Sequence, residues 1–166
     1  LEGNISIRNA FEGEKVVTLD DVERTLSSED MLICDDVKPI AIAGVMGLKN
    51  SEIDENTKNI FIESAFFTKK TIKSTSKRLG LKSEASIRYE KGLTSEHTMN
   101  VLARFLCLLE KNVKCKIDSI FDVNKEETTS KLIEFDTNLV KRLLGVEIKN
   151  SDIITYLDLL EIKTEV

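Results

Sequence analysis

Proline and glycine are scarce in this 166-residue chain, with one proline and seven glycines. That scarcity excludes collagen-like and low-complexity organisation. No apolar run comes near the roughly 18–20 residues that a membrane-spanning helix needs. Cysteine is sparse too. Cys34, Cys107 and Cys115 are odd in number, far apart and include no Cys-x-x-Cys pair, which argues against a disulfide framework and for a reducing compartment. The single histidine, His97, stands at no zinc-site spacing from these cysteines. Basic residues are in the minority, 24 against 29 acidic, for a net charge of −5. That weighs against a general polyanion binder and leaves room for a local basic patch.

What is present points to a folded core. Apolar residues make up 41% of the chain and charged residues 32%, so extended disorder is excluded. The length fits one domain, or one domain and the start of another. The opening Leu1-Glu2-Gly3-Asn4 has neither the basic nor the apolar region of a signal peptide. Both ends fall within a pattern, so the chain is expected to be part of a longer cytoplasmic protein.

Residues 4–67 read as β-rich, with short apolar runs parted by turn residues such as Glu12-Gly13-Glu14. Met31-Leu32-Ile33-Cys34 is a candidate buried strand, and residues 35–39 a turn. Residues 40–47 are almost wholly apolar and end in glycine. Residues 59–67 read as a further strand that Glu63 interrupts. The period then changes. Residues 69–79 form a basic helical pattern stopped by Gly80. Ser95 is a candidate N-cap for a helix whose Thr98, Leu102, Phe105, Leu109 and Val113 recur at helical spacing and should face a sheet. Cys107 within it and Cys34 are both expected in the core. Residues 116–123 return to strand character. The polar stretch 125–130 reads as a linker between a first domain, 1–124, and a second, 131–166. In the second, residues 132–135 suggest a strand, residues 137–144 a helix stopped by Gly145, and Ser151 caps a last helix. About 36 residues cannot easily form an independent core, so this part reads as half of a small α/β domain.

Four stretches could carry chemistry. In Ala41-Ile42-Ala43-Gly44-Val45-Met46-Gly47, glycine allows close approach of a ligand or a tight turn; no dinucleotide or phosphate-loop fingerprint is present. Glu63, among Phe61, Ile62, Ala65, Phe66 and Phe67, is either a strand-edge residue facing water or a carboxylate that is paired, protonated or set in a pocket wall. Residues 69–91 hold eight basic and two acidic side chains, a balance of +6. Such a face is either solvated or attracts a phosphate backbone. With Tyr89 as its one aromatic, it offers little base stacking. In residues 82–92 the small Ser83, Ala85 and Ser86 alternate with charges and leave room for a ligand or for close packing.

Taken in order, Glu23-Arg24-Thr25-Leu26, Gly44-Val45-Met46-Gly47, Glu63-Ser64-Ala65-Phe66-Phe67 and Leu79-Gly80-Leu81-Lys82-Ser83-Glu84-Ala85-Ser86 resemble the beta-subunit family of bacterial phenylalanine–tRNA ligases. Residues 1 to about 124 resemble most of its B3/B4 editing domain. Residues from about 131 resemble the start of its B5 domain, through Phe135-Asp136 and Leu143-Leu144-Gly145-Val146. The resemblance implies an α+β fold, an antiparallel-rich mixed sheet with packed helices, followed by a partial small α/β domain. It implies post-transfer editing, hydrolysis of tyrosine from mischarged tRNA(Phe), with a non-catalytic tRNA-docking module of the same subunit as the alternative. An unrelated phosphate-backbone binder driven by residues 69–91 is a third reading. By motif, Glu63 corresponds to the glutamate that accepts a hydrogen bond from the tyrosine hydroxyl, Gly47 to a glycine of the pocket wall, and Ala85 to a small residue that keeps the pocket open. Lys77, Arg78, Lys82 and Arg88 are the candidate tRNA contacts. No residue is assigned as general base or metal ligand. The resemblance implies no cofactor within this stretch, ATP and magnesium in a complete α2β2 enzyme, and an alpha subunit and tRNA(Phe) as partners. Two departures stand out: Gly47-Leu48 replaces the family's usual Gly-Gly, and Leu93-Thr94-Ser95 replaces its Val-Asp-Pro.

Overall fold

The computed structural model describes residues 1–123 and 132–165; the expected linker at 125–130 lies outside them. The chain divides into two compact units, Leu1–Phe121 and Asp122–Val166.

The first unit is mixed α+β, with antiparallel sheets and several helices. Its main sheet has the order β1–β4–β5–β6, formed by Ser6–Asn9, Met31–Cys34, Pro39–Ile42 and Met46–Gly47, with every pair antiparallel. β4 is central and buries Leu32, Ile33 and Cys34 in succession, as a strand covered on both faces must. β5 alternates instead, burying Ile40 and Ile42 more deeply than Pro39 and Ala41, the period-two signature of a strand with one inner face. A hairpin of β2 (Lys15–Val17) and β3 (Glu23–Thr25) meets the end of β6. There Thr18 bridges Leu48, and the Leu19 amide donates to the Gly47 carbonyl at 3.1 Å.

Helix α1 (Lys69–Leu79) turns Ile72, Thr75 and Ser76 inward and leaves Lys69, Lys70, Lys73 and Lys77 exposed. The buried positions follow helical spacing, so burial of that stripe fixes the basic residues on the opposite face. Gly80 closes the helix at φ 62°, and the Leu81 amide returns to the Ser76 carbonyl at 3.0 Å. That left-handed residue is the glycine stop expected from sequence. α2 (Glu84–Tyr89) follows, then a short turn at Ser95–His97 and α3 (Thr98–Asn112). The core is built from Leu26, Leu32, Ile42, Val45, Leu48, Phe67, Ile72 and Leu81, among others.

Several expectations need correction. Residues 59–67 belong to neither sheet; the apolar run seats one anchor, Phe67, which is buried, while Phe61 and Phe66 stay exposed. Residues 116–123 and 132–135 are likewise not strands. In α3 the half-buried line is Thr98, Leu102, Leu106 and Leu109, with Phe105 and Val113 exposed and no residue fully buried. The inward stripe keeps the expected Thr98, Leu102 and Leu109 and takes Leu106 in place of Phe105; Cys107, the next position round the helix, falls outside that line and is exposed. Cys34 is buried, and that burial pushes its thiol above the ordinary value. The α3 helix starts at Thr98, not after Ser95; Ser95 opens the preceding turn, and its carbonyl accepts from the Thr98 hydroxyl at 2.8 Å.

In the second unit, α4 (Thr137–Leu144) is capped by the Asp136 carboxylate, which accepts from the Asn138 amide at 2.9 Å, and ends on Gly145 at φ 73°. α5 (Asn150–Leu159) begins after Lys149, so Ser151 sits in the first turn and not at the cap. Its Ile153 is buried, whereas Leu143, Leu144, Leu159 and Leu160 are exposed. So thin a core matches the difficulty of burying apolar surface in so few residues.

Candidate functional site

The glycine strand supplies a wall. Gly44 takes φ +66°, a conformation glycine adopts without strain. A Cβ there would lie 2.7 Å from Ile72 Cδ1 and 2.8 Å from Phe67 Cδ2. Its bare backbone is therefore what lets Phe67 seat against the sheet. Gly47 has no such backbone demand; a Cβ on it would come within 3.1 Å of Leu19 Cδ1, the flexible end of a side chain. Gly47 borders an open cavity of about 350 Å³ together with Leu19, Leu48, Ser51, Glu52 and Ile53. Glu63 and Ala85 are not among the residues that line it. Leu48, which stands where the resembled family has glycine, is buried and donates its amide to the Ile40 carbonyl at 2.9 Å.

Phe67 organises the segment that carries Glu63. Its ring meets Tyr89 edge-on, with centroids 5.0 Å apart and planes at 76°, the geometry that aromatic quadrupoles favour. The Tyr89 hydroxyl donates to the Ala65 carbonyl at 3.0 Å. The Ser64 hydroxyl donates to the Thr98 carbonyl at 2.8 Å, at the start of α3. Glu63 is exposed by surface area, yet burial raises its carboxyl above the ordinary value. The two facts describe a rim position, with protein crowding the carboxyl from one side and water reaching it from the other. The open side limits the rise, because solvent screens the charge. Desolvation raises the Tyr89 phenol as well, and the negative charge of Glu63 adds to it. Glu63 and Tyr89 thus feel each other electrostatically.

Ser83 joins two of the sequence motifs. Its hydroxyl accepts from the Ser86 amide at 3.0 Å as the N-cap of α2, and the Ser86 hydroxyl accepts from the Ser83 amide at 2.9 Å. The same Ser83 hydroxyl donates to the carbonyl of Val45, between the two glycines. Ser86 is fully buried beneath this cap, while Ala85 is exposed beside it. Gly47, Glu63 and Ala85 therefore sit on three segments tied to one another by their neighbours: Val45 to Ser83, and Ala65 to Tyr89. Sequence reasoning missed Ser64 and Tyr89, whose partners are backbone carbonyls 34 and 24 positions away.

The basic residues divide into two groups. Arg78 is paired with the buried Asp30 and also donates to the Thr25 carbonyl at 3.3 Å. Arg88 pairs with Glu84 one helical turn back, at 3.3 Å and on the surface. Lys77 and Lys82 are exposed and make no ion pair among the described residues. Among the described residues, no group of three His, Cys, Asp or Glu side chains converges as a metal site would, and no helix is long and apolar enough to cross a membrane.

Residues 1–114 match the family model described as the B3/4 domain. Over nearly its whole length the chain is similar to phenylalanine–tRNA ligase beta subunits. It is 37% identical to that of Fusobacterium nucleatum over 96% of the chain and 20% of the relative. It is 36% identical to that of Aquifex aeolicus over all of the chain and 21% of the relative. With that of Staphylococcus aureus it shares 39% identity over 98% of the chain and 20% of the relative. The chain thus spans about a fifth of the length of these relatives.

Proposed function

The chain belongs to the B3/4 domain family, and on that premise we propose that it supplies the editing site of a phenylalanine–tRNA ligase beta subunit, where tyrosine is hydrolysed from mischarged tRNA(Phe). What supports this reading is the place of Glu63 on an irregular segment whose next two residues are tied to neighbouring elements, Ser64 to Thr98 and Ala65 to Tyr89, with the carboxyl pushed upward by burial. Phenylalanine and tyrosine differ by one hydroxyl. An apolar pocket rejects an added hydroxyl poorly, whereas a site that bonds the hydroxyl can reject the analogue lacking it by about 10⁴–10⁵. A carboxylate already partly desolvated by the fold can make that distinction, since bound tyrosine gives it a donor and bound phenylalanine leaves it unpaired. Glu63 is therefore a specificity residue. The hydrolytic water is positioned by the pocket and by the terminal ribose hydroxyl of the tRNA, with no covalent step on the protein.

Gly47 and Ala85 are assigned to the editing site with Glu63, Gly47 as backbone wall and Ala85 as the small residue that leaves space; the bond from Ser83 to the Val45 carbonyl, which ties their segments together, supports the grouping, although the cavity that Gly47 borders is lined by neither Glu63 nor Ala85. Lys77, Arg78, Lys82 and Arg88 are assigned to the phosphate backbone, Arg78 through the exposed part of a guanidinium that also pairs with Asp30. Residues from about 131 onward are assigned to the start of the following domain. Aminoacylation with ATP and magnesium belongs to the alpha subunit of a complete α2β2 enzyme, in which tRNA(Phe) is the shared partner.

The test is tyrosine release from tyrosyl-tRNA(Phe). Replacing Glu63 with Ala removes one charged acceptor and is expected to slow release by roughly ten- to a hundredfold. Release at an unchanged rate would overturn the assignment and leave a tRNA-docking role.

A further inference from the structure

The segment that carries Glu63 lacks the support that a strand would give it. Among the described residues, the backbone of 59–67 makes no hydrogen bond to another backbone group. Two side-chain bonds hold it. Ser64 reaches the Thr98 carbonyl on one flank at 2.8 Å, and Tyr89 reaches the Ala65 carbonyl on the other at 3.0 Å. These two anchored residues are the first and second after Glu63. Tyr89 is itself fixed, because its ring stands edge-on to Phe67, and Phe67 is buried against the bare backbone of Gly44.

We propose that Tyr89 is a positioning residue for Glu63: by donating its hydroxyl proton to the Ala65 carbonyl it fixes where the Glu63 carboxyl stands, with Ser64 as the second tie, and so sets how sharply the site separates tyrosyl from phenylalanyl esters. This rests on the editing role assigned to Glu63. The arrangement supports itself. Tyr89 can serve as a donor only while its phenol is protonated, and both the desolvation around it and the charge of Glu63 hold it so. The hydroxyl has one proton, and the carbonyl takes it. Tyr89 therefore acts through the backbone and not as a donor to substrate.

The informative variant is Tyr89→Phe, which deletes the hydroxyl and keeps the ring that packs on Phe67. Two measurements on the whole chain separate this proposal from the reading it rests on. The first needs no tRNA. The Glu63 carboxyl is titrated by carbon-detected magnetic resonance in the native chain, in Tyr89→Phe and in Ser64→Ala. Loosening of the segment lets water reach the carboxyl, so its midpoint is expected to fall toward the ordinary glutamate value in both variants. A midpoint that stays where it is in the native chain overturns the proposal, whatever the catalytic result. The second compares tyrosine with phenylalanine release from the two charged tRNAs. A misplaced acceptor is expected to cost about ten- to a hundredfold in the tyrosine rate, with the phenylalanine rate unmoved. Equal loss for both esters overturns the proposal, since general damage to the fold would not select the hydroxyl. Equal tyrosine release by the native chain and Glu63→Gln would remove the editing role, while the titration still decides whether Tyr89 places the carboxyl. Should Tyr89→Phe fail to fold, Ser64→Ala carries the same titration.

Discussion

Asp30 is nearly inaccessible to water, and donors from three residues converge on it: the Ser27 amide at 2.8 Å and hydroxyl at 3.5 Å, the Thr75 hydroxyl at 2.8 Å and the Arg78 guanidinium. A buried carboxylate is tolerable only when so satisfied. Replacing Asp30 with Ala strands Thr75 and leaves Arg78 without its partner, which should cost about 3 kcal/mol. Urea denaturation would register this as a lower midpoint at an unchanged slope. Gly44 is constrained sterically. Gly44→Ala must displace Phe67 and Ile72 while adopting φ +66°, and is expected to cost at least about 2 kcal/mol in the same experiment. Glu63 is the reverse case. Its folded-state pKa is raised, so the folded chain holds that proton more tightly than the unfolded chain does. The stability this confers is complete below the unfolded value and is lost as pH rises through the folded one. Near neutral pH Glu63→Gln should therefore melt slightly higher than the native chain, and the gap should close on acidification. The sequence made Glu63 conspicuous as a charge in an apolar run. It gave no sign that Arg78, one of the candidate tRNA contacts, also pairs with a buried aspartate, because an arginine on a basic helix reads the same with or without such a partner.

At the scale of the element, α1 separates two roles by helical period. Its inner stripe carries Ile72, Thr75 and Ser76, and its outer face carries the lysines. The C-terminal end is tied down from outside: Arg24 donates to the Leu79 carbonyl at 3.1 Å, to the Thr18 hydroxyl at 3.0 Å and pairs with Asp20 at 2.6 Å. The motif Glu23-Arg24-Thr25-Leu26 thus links the hairpin to the end of the helix. If Lys77 and Lys82 contact phosphates, changing each to Ala should weaken tRNA binding. Each change should also flatten the plot of log affinity against log salt by about 0.7–0.9. Arg78→Ala should also lower the melting temperature, since it leaves the buried Asp30 without its charged partner. The glycine stops at Gly80 and Gly145 were legible because a left-handed closing residue selects glycine locally. The irregular course of 59–67 was not, since an apolar run has the same composition whether it enters a ladder or pins one phenylalanine.

For the whole molecule, nearly all buried apolar side chains lie between Ala10 and Leu81, and the second unit adds only Ile153 among the described residues. Cooperative unfolding follows the core. A chain ending at Phe121 is therefore expected to keep its thermal midpoint, measured by circular dichroism; a midpoint several degrees lower would show that residues beyond 121 support the first unit. The sequence alone determined the mixed α+β class, the helix stops, the burial of Cys34 and the family, because each depends on local pattern or on the order of motifs along the chain. Tertiary structure decided which basic side chains are paired and what holds the segment of Glu63. Each of those depends on a partner tens of residues away, such as Asp30 for Arg78 or Ala65 for Tyr89, and residues that distant are brought within bonding reach only when the chain has folded.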